Sequence, residues 1–331
     1  MNLYDQQQSN RRKTWLVMLA FVAFFLFLGI GFDTFYIGAG RGVVPIGSVI
    51  ALGVGSVSAA TSYFSGDRAV LLSTHAQPVE DLAAGAGADD ALKLRQLQNV
   101  VDEMSIASGL PRPKVFVVPD ADPNAFATGR DPAHASLAVT RGLLDTLDRE
   151  ELQGVIAHEM SHIRNLDVRV MTIVAALAGA VALLADWARR GMMWGGPRRS
   201  SDRRSSDGER GGGLAGIIFF AVWLIAVMLA PLLAQLLAMM VSRGREYLAD
   251  ASGAELTRNP LGLARALDKI ESAATPTVTV NRGTAHLCIA DPLGRPMNLR
   301  EGAWANLFAS HPPMASRIAA LKEMAYQQGR R

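Results

Sequence analysis

A single cysteine in 331 residues, Cys288, rules out an intramolecular disulfide and any cysteine-rich metal site. It fits a reducing compartment and reads as a small buried apolar residue. Excess charge of either sign is also missing, since 33 basic residues against 30 acidic ones leave a net charge of +3. The arginines cluster beside apolar runs, and no basic stripe with interleaved aromatics occurs, which sets nucleic acid aside. No internal repeat is evident. The chain is instead rich in apolar residues, which make up 50% of it and give a positive mean hydropathy of +0.18. They collect in a few long runs, a pattern of membrane spans rather than of an enlarged core.

Residues 1–13 are polar and end in Arg11-Arg12-Lys13, after which Thr14 to Phe32 runs without a charge. That is long enough to cross a hydrocarbon core of about 30 Å. A second apolar stretch, Gly42 to Gly66, follows at once. A signal peptide would have an apolar region of only about 7–15 residues before a cleavage site. An uncleaved tail and helical hairpin is therefore expected over 1–66. Residues 67–169 form the first part of a soluble domain. Residues 170–242 form a second hydrophobic hairpin around an arginine-rich loop at 186–213, and 243–331 complete the domain. Within the first part, Ala83 to Asp90 reads as a linker. Leu92 to Gly109 reads as a helix ended by its glycine, with Pro111 and Pro113 beyond. Lys114 to Val118 reads as a strand, and Asn124 onward as a loop leading into a strand at Ser136 to Thr140. Asp148, three residues before Glu151, has the spacing of a capping box that opens a helix reaching about Asn165.

That helix carries His158-Glu159-Met160-Ser161-His162, an H-E-x-x-H pattern. Residues four apart share a helix face, so both imidazoles can reach one ion, and Glu159 beside them can take a proton from a metal-bound water. Zinc suits imidazole and carboxylate ligands, and a catalytic site uses three of them. The best third ligand is Glu246 in Arg245-Glu246-Tyr247-Leu248-Ala249-Asp250. Asp250, one turn on, can accept a hydrogen bond from the other nitrogen of a ligating histidine. An isolated E-x-x-x-D is ordinarily a solvated face, and its pairing with H-E-x-x-H is what reverses that reading. His75, His134 and His286 have no spaced partner in the sequence and read as ordinary residues.

The order of two N-terminal spans, H-E-x-x-H, two apolar segments and R-E-Y-x-A-D resembles the HtpX branch of the Ste24-type membrane metallopeptidases. Asn124-Ala125-Phe126-Ala127-Thr128-Gly129-Arg130 and Ser310-His311-Pro312-Pro313 are similar to other signatures of that family. The resemblance implies a mainly α, multi-span membrane protein with a gluzincin-like domain of helices and a small sheet. It implies one zinc ion on His158, His162 and Glu246, with Glu159 catalytic and His311 stabilising the oxyanion. Asn165 and Asp167 take packing or orienting roles, and Arg317 belongs to the same C-terminal element as His311. The expected activity is zinc endopeptidase cleavage of misfolded membrane proteins or unfolded polypeptides, in the cell inner membrane with the site facing the cytoplasm. The strand Ser136 to Thr140 is a candidate edge for pairing with extended substrate. A dedicated processing peptidase and a catalytically silent scaffold are the competing functions, and a scaffold has no need of Glu159. A structural zinc site would call for four protein ligands, often cysteine.

Topology is where the sequence pulls in two directions. His162 and Glu246 can share an ion only if the chain returns to one side between them. Two full crossings by 170–185 and 214–242 would put the loop between them outside. Yet that loop carries Arg189, Arg190, Arg198, Arg199, Arg203, Arg204 and Arg210 against Asp202, Asp207 and Glu209, and such a loop resists translocation. The first segment is also short for a span, which needs about 17–25 residues. The expectation is a partly inserted hairpin whose tip stays cytoplasmic. A cysteine at Ser205 in a Cys288→Ser background should resist a membrane-impermeant maleimide in intact cells. Labelling would mean that both segments cross.

Overall fold

Thr14–Phe32 contains nothing to interrupt a helix, and it forms the bulk of α1 (Leu3–Phe32), which pairs with α2 (Ile46–Ser73). In this computed structural model the described residues are 3–34, 44–194, 243–273, 284–290 and 312–328. Each of the two helices has a 28-residue stretch apolar enough to cross a membrane, about 42 Å long at 1.5 Å per residue. Their outer faces leave Trp15, Leu16, Leu19, Val49, Ile50 and Val57 exposed, as a lipid-facing surface requires. His311, residues 195–213 of the arginine-rich loop and the apolar segment 214–242 lie outside the described residues.

The expected polar tail is different: helix begins at Leu3, well before the apolar run, because Gln6 and Asn10 find buried partners on another part of the chain. The expected linker is mostly helical too, with α3 at Val79–Gly85 and α4 at Ala88–Ser108. Asp89 and Asp90 favour the α4 N-terminus. Its end is the predicted one. Gly109 takes the left-handed conformation (φ +68°), and its N–H and that of Leu110 close the last turn.

A four-stranded sheet follows, in the order β1 (Gln77–Pro78), β2 (Lys114–Val118), β4 (Ala135–Thr140), β3 (Ala125–Gly129). β2 and β4 are parallel, and the other two pairings are antiparallel. Two expectations are corrected here. Ala125–Gly129 is a strand, not a loop, and Ser136 to Thr140 lies inside the sheet, so β3 is the edge on that side. β3 escaped notice because Ala, Thr and Gly give little strand signal. Both faces of β3 and β4 are covered, which removes the alternation of polar and apolar residues. One face packs Ala127, Leu137 and Val139 into the main core. The other packs Phe126 and Ala138 against α2, α7 (Asp167–Trp194) and the turn at Ala285–Leu287, beside buried Cys288.

After the short α5 (Arg141–Thr146) comes α6 (Arg149–Arg164), opened by the predicted capping box. Asp148 accepts from the Glu151 N–H, and Glu151 accepts from the Asp148 N–H, each at 2.9 Å. α8 (Arg243–Thr257), α9 (Pro260–Ser272) and α10 (Met314–Gln328) complete the core around α6. The buried Glu151 carboxylate also receives Lys269 of α9 at 2.7 Å.

Gly154 lets α9 press on α6. A Cβ there would lie 2.8 Å and 2.9 Å from the Leu263 N and Cα atoms. Gly154→Ala gains up to about 1 kcal/mol of helix propensity, but overpacking against backbone costs about 1–3 kcal/mol. Overpacking should win, so the variant should unfold at a lower temperature in detergent. A raised midpoint would show that the two helices separate at little cost.

Candidate metal centre

The one-turn spacing on α6 brings the two rings together, with centroids 4.8 Å apart and planes at 87°. His158 Nε2 and His162 Nε2 face each other at 3.2 Å. Glu246 of α8 closes the triangle, with Oε2 and Oε1 each 3.6 Å from one of those nitrogens. One ligand atom from each residue lies within 4.8 Å of the others, and all three side chains are buried. α8 can come this close because of Gly253, where a Cβ would sit 3.0 Å from the His158 N atom.

Each imidazole has a carboxylate behind it. His158 Nδ1 lies 2.9 Å from Asp250 Oδ1, the partner expected from the E-x-x-x-D spacing. His162 Nδ1 lies 3.2 Å from Asp167 Oδ2. Asp167 doubles back onto α6 because Leu166, between α6 and α7, holds a left-handed φ of +59°. Asp250 is gripped in turn by Arg317 of α10, whose Nε and Nη2 donate to its two oxygens at 2.8 Å and 2.7 Å. Arg317 is fully buried and also donates to the Ile289 carbonyl at 3.0 Å.

Glu159 is buried on the same helix. The Ala127 backbone of edge strand β3 lies against its carboxylate and favours the charged form, while Oε1 has no hydrogen-bond partner among the described residues. Burial pushes this carboxyl up to about 7, with the charge of Glu246 adding to the effect and His162 opposing it. Burial acts downward on His162, but the hydrogen bond to Asp167 and the charge of Glu246 outweigh it and raise the group to about 9. His158 is lowered, chiefly by burial and against the pull of Asp250. Burial acts upward on Asp250, but Arg317 holds it below the ordinary carboxylate range.

The donor set fits a divalent metal. Two imidazoles and a carboxylate converge in a buried site with both Nδ1 atoms already engaged, so Nε2 is the atom each ring can offer. His158, His162, Glu246, Asp250 and Glu159 are thus brought together. The sequence assigned Asp167 and Arg317 no particular contact, because the first depends on a left-handed leucine and the second on a helix far along the chain. His134 does have an acidic neighbour, Asp131, with Nδ1 and Oδ1 2.7 Å apart, but the pair is exposed and caps a short turn.

Residues 91–325 match the model for peptidase family M48. A "Protease HtpX homolog" of Streptococcus thermophilus is 41% identical over 97% of this chain and all of its own length. One of Caldanaerobacter subterraneus is 40% identical over 97% of this chain and 98% of its own. Among solved structures, that of S. mikatae Ste24p aligns over 96% of this chain and 67% of its own, at 20% identity and a TM-score of 0.47.

The Arg317–Asp250 pair should behave as a unit. Removing one member of a buried pair strands the other, at about 3–5 kcal/mol. Arg317→Met should therefore destabilise strongly, and Arg317→Met with Asp250→Asn should cost less than the two single changes together. Thermal unfolding of all three variants tests this, and strict additivity would mean that the pair is not coupled.

Proposed function

The chain belongs to peptidase family M48, and from that premise we propose that His158, His162 and Glu246 hold one zinc ion and that Glu159 is the general base. Family membership makes the protein a metallopeptidase, and its two apolar helices make it a membrane-bound one. The observation that carries the site reading is the convergence of three buried ligand atoms beside a Glu159 oxygen that has no protein partner among the described residues. Zinc is favoured over calcium or magnesium because two of the three donors are imidazoles. Bound there, the ion would polarise the scissile carbonyl and lower the pKa of its water to about 7.

The remaining roles fall to the chain's own groups. Asp250 and Asp167 hold the Nδ1–H of each histidine, which fixes tautomer and ring orientation. Glu159 takes the proton from the attacking water and returns it to the leaving amine. The N–H and C=O of one strand residue point to the same side, so Ala127 presents both toward Glu159 from the outer edge of β3. With Ala125 and Gly129 already bonded to Ile289 and Thr172, the Ala127 carbonyl is the group that accepts from the main chain of an extended substrate, a contact indifferent to side chains. The imidazole of His311 donates to the oxyanion.

The substrates in this reading are misfolded membrane proteins and unfolded polypeptides, in keeping with the HtpX-type resemblance. The enzyme is multi-pass in the inner membrane, with its site facing the cytoplasm. Support comes from Asn10, hydrogen-bonded to Asp167 and adjoining Arg11-Arg12-Lys13. The basic flank of the first span and the metal site thus share a side, which the positive-inside rule makes cytoplasmic.

Glu159→Gln should keep its metal and its fold while casein cleavage falls by roughly 10²–10⁴-fold, the usual contribution of acid–base catalysis. Glu246→Ala should lose metal and activity together, and Asp250→Ala should lose about 10–100-fold. Near-normal turnover in Glu159→Gln would remove that residue from the mechanism. Full metal content in Glu246→Ala would assign the third ligand elsewhere.

A further inference from the structure

An asparagine one turn before a membrane span ordinarily sits in water or among headgroups, yet Asn10 is fully buried. Burying an amide is costly unless its polar atoms are satisfied; here both donor hydrogens are, while Oδ1 has no partner among the described residues. Nδ2 donates to Asp167 Oδ1 at 2.7 Å and to the Asn165 carbonyl at 2.9 Å. Gln6, one turn earlier on the same face of α1, reaches Asp167 Oδ1 at 3.5 Å. Gln7 beside it donates to the Arg164 carbonyl at 2.8 Å and does not bond to Asp167.

Asp167 is fully buried and divides its two oxygens. Oδ2 faces His162 Nδ1 at 3.2 Å, and Oδ1 faces α1, with Arg245 Nε also 3.5 Å away. A carboxylate can orient an imidazole only if its own plane is fixed, and a short bond to one oxygen fixes the direction of the other. We propose that Asn10 is a positioning residue of the metal centre, setting the Asp167 carboxylate that holds His162, so that the first membrane helix helps to determine metal affinity. This rests on the reading of His158, His162 and Glu246 as the metal ligands. The role differs from mere docking of α1, because docking would be shared by Gln7, which binds the same end of α6.

The test uses the full chain in detergent, with Zn²⁺ affinity measured by competition with a chromophoric chelator. The visible absorption of the Co²⁺-loaded protein serves as a second readout. Loss of an outer partner typically costs 10–100-fold in metal affinity. Asp167→Asn should fall in that range, and Asn10→Ala, one bond further out, should lose about 5–10-fold and shift the Co²⁺ bands. Asn10→Asp keeps the shape but turns a charge on Asp167, so it should bind more weakly still. In an Asp167→Asn background, Asn10→Ala should add less than about two-fold. Gln7→Ala should stay within about two-fold of the unmodified protein. An unchanged affinity in Asn10→Ala, or tight binding in Asn10→Asp, would overturn the proposal. So would an equal loss in both backgrounds, or a loss in Gln7→Ala matching that of Asn10→Ala. Undiminished Zn²⁺ binding by His162→Ala would instead overturn the ligand assignment beneath it.

Discussion

Two buried carboxylates, Asp250 and Asp167, stand behind the two imidazoles of α6, and burial of such groups is tolerable only where partners meet them. The effective cost of moving such an ion out of water is several kcal/mol. Asp250 is compensated by the two-pronged grip of Arg317, brought in by α10. Asp167 is compensated by amides of α1 and by Arg245 of α8. The need to satisfy these charges therefore reaches well beyond the site. It ties α1, α8 and α10 to one helix, and it gives each imidazole a fixed rotation before any metal arrives.

The sheet extends the same logic to the membrane side. β3 shares one face with the main core and the other with α2 and α7, so it is buried on both. Thr172 of α7 bonds to Thr128 at 2.9 Å and accepts from the Gly129 N–H at 3.0 Å, which pins the end of the edge strand. At the other end, the Ile289 N–H donates to the Ala125 carbonyl at 2.9 Å, and Asn124 donates to the Ala290 carbonyl at 3.0 Å. Between these anchors Ala127 faces Glu159. The strand is thus held rigidly over the proposed base by contacts that the helices provide.

Features that rest on local spacing were legible in the sequence. The i, i+4 histidines, the Asp148–Glu151 capping box, the Gly109 stop and the Glu246–Asp250 pair each follow from the geometry of one helix. Features that rest on long-range partners were not. β3 has small residues and two covered faces, so no period marked it. The helical foot of α1 was read as a polar tail because Gln6 and Asn10 look solvated until their partners at 165 and 167 are known. Asp167 needed a leucine in a conformation that L-residues avoid, at about 1–2 kcal/mol. Nothing in the spacing around Arg317 marks it as a fully buried charge.

The wide dispersal of the site along the chain has a consequence for biosynthesis. Asn10 and Arg317 are separated by roughly 300 residues, about 15–60 s of translation at 5–20 residues per second. For about the first three quarters of that interval the emerging polypeptide has its first span and then the H-E-x-x-H helix but not Glu246, and the guanidinium that stabilises Asp250 comes only at its end. A partly synthesised chain accordingly contains no complete site. The Asp250 carboxylate behind His158 therefore has no guanidinium partner until α10 has been made and has folded back.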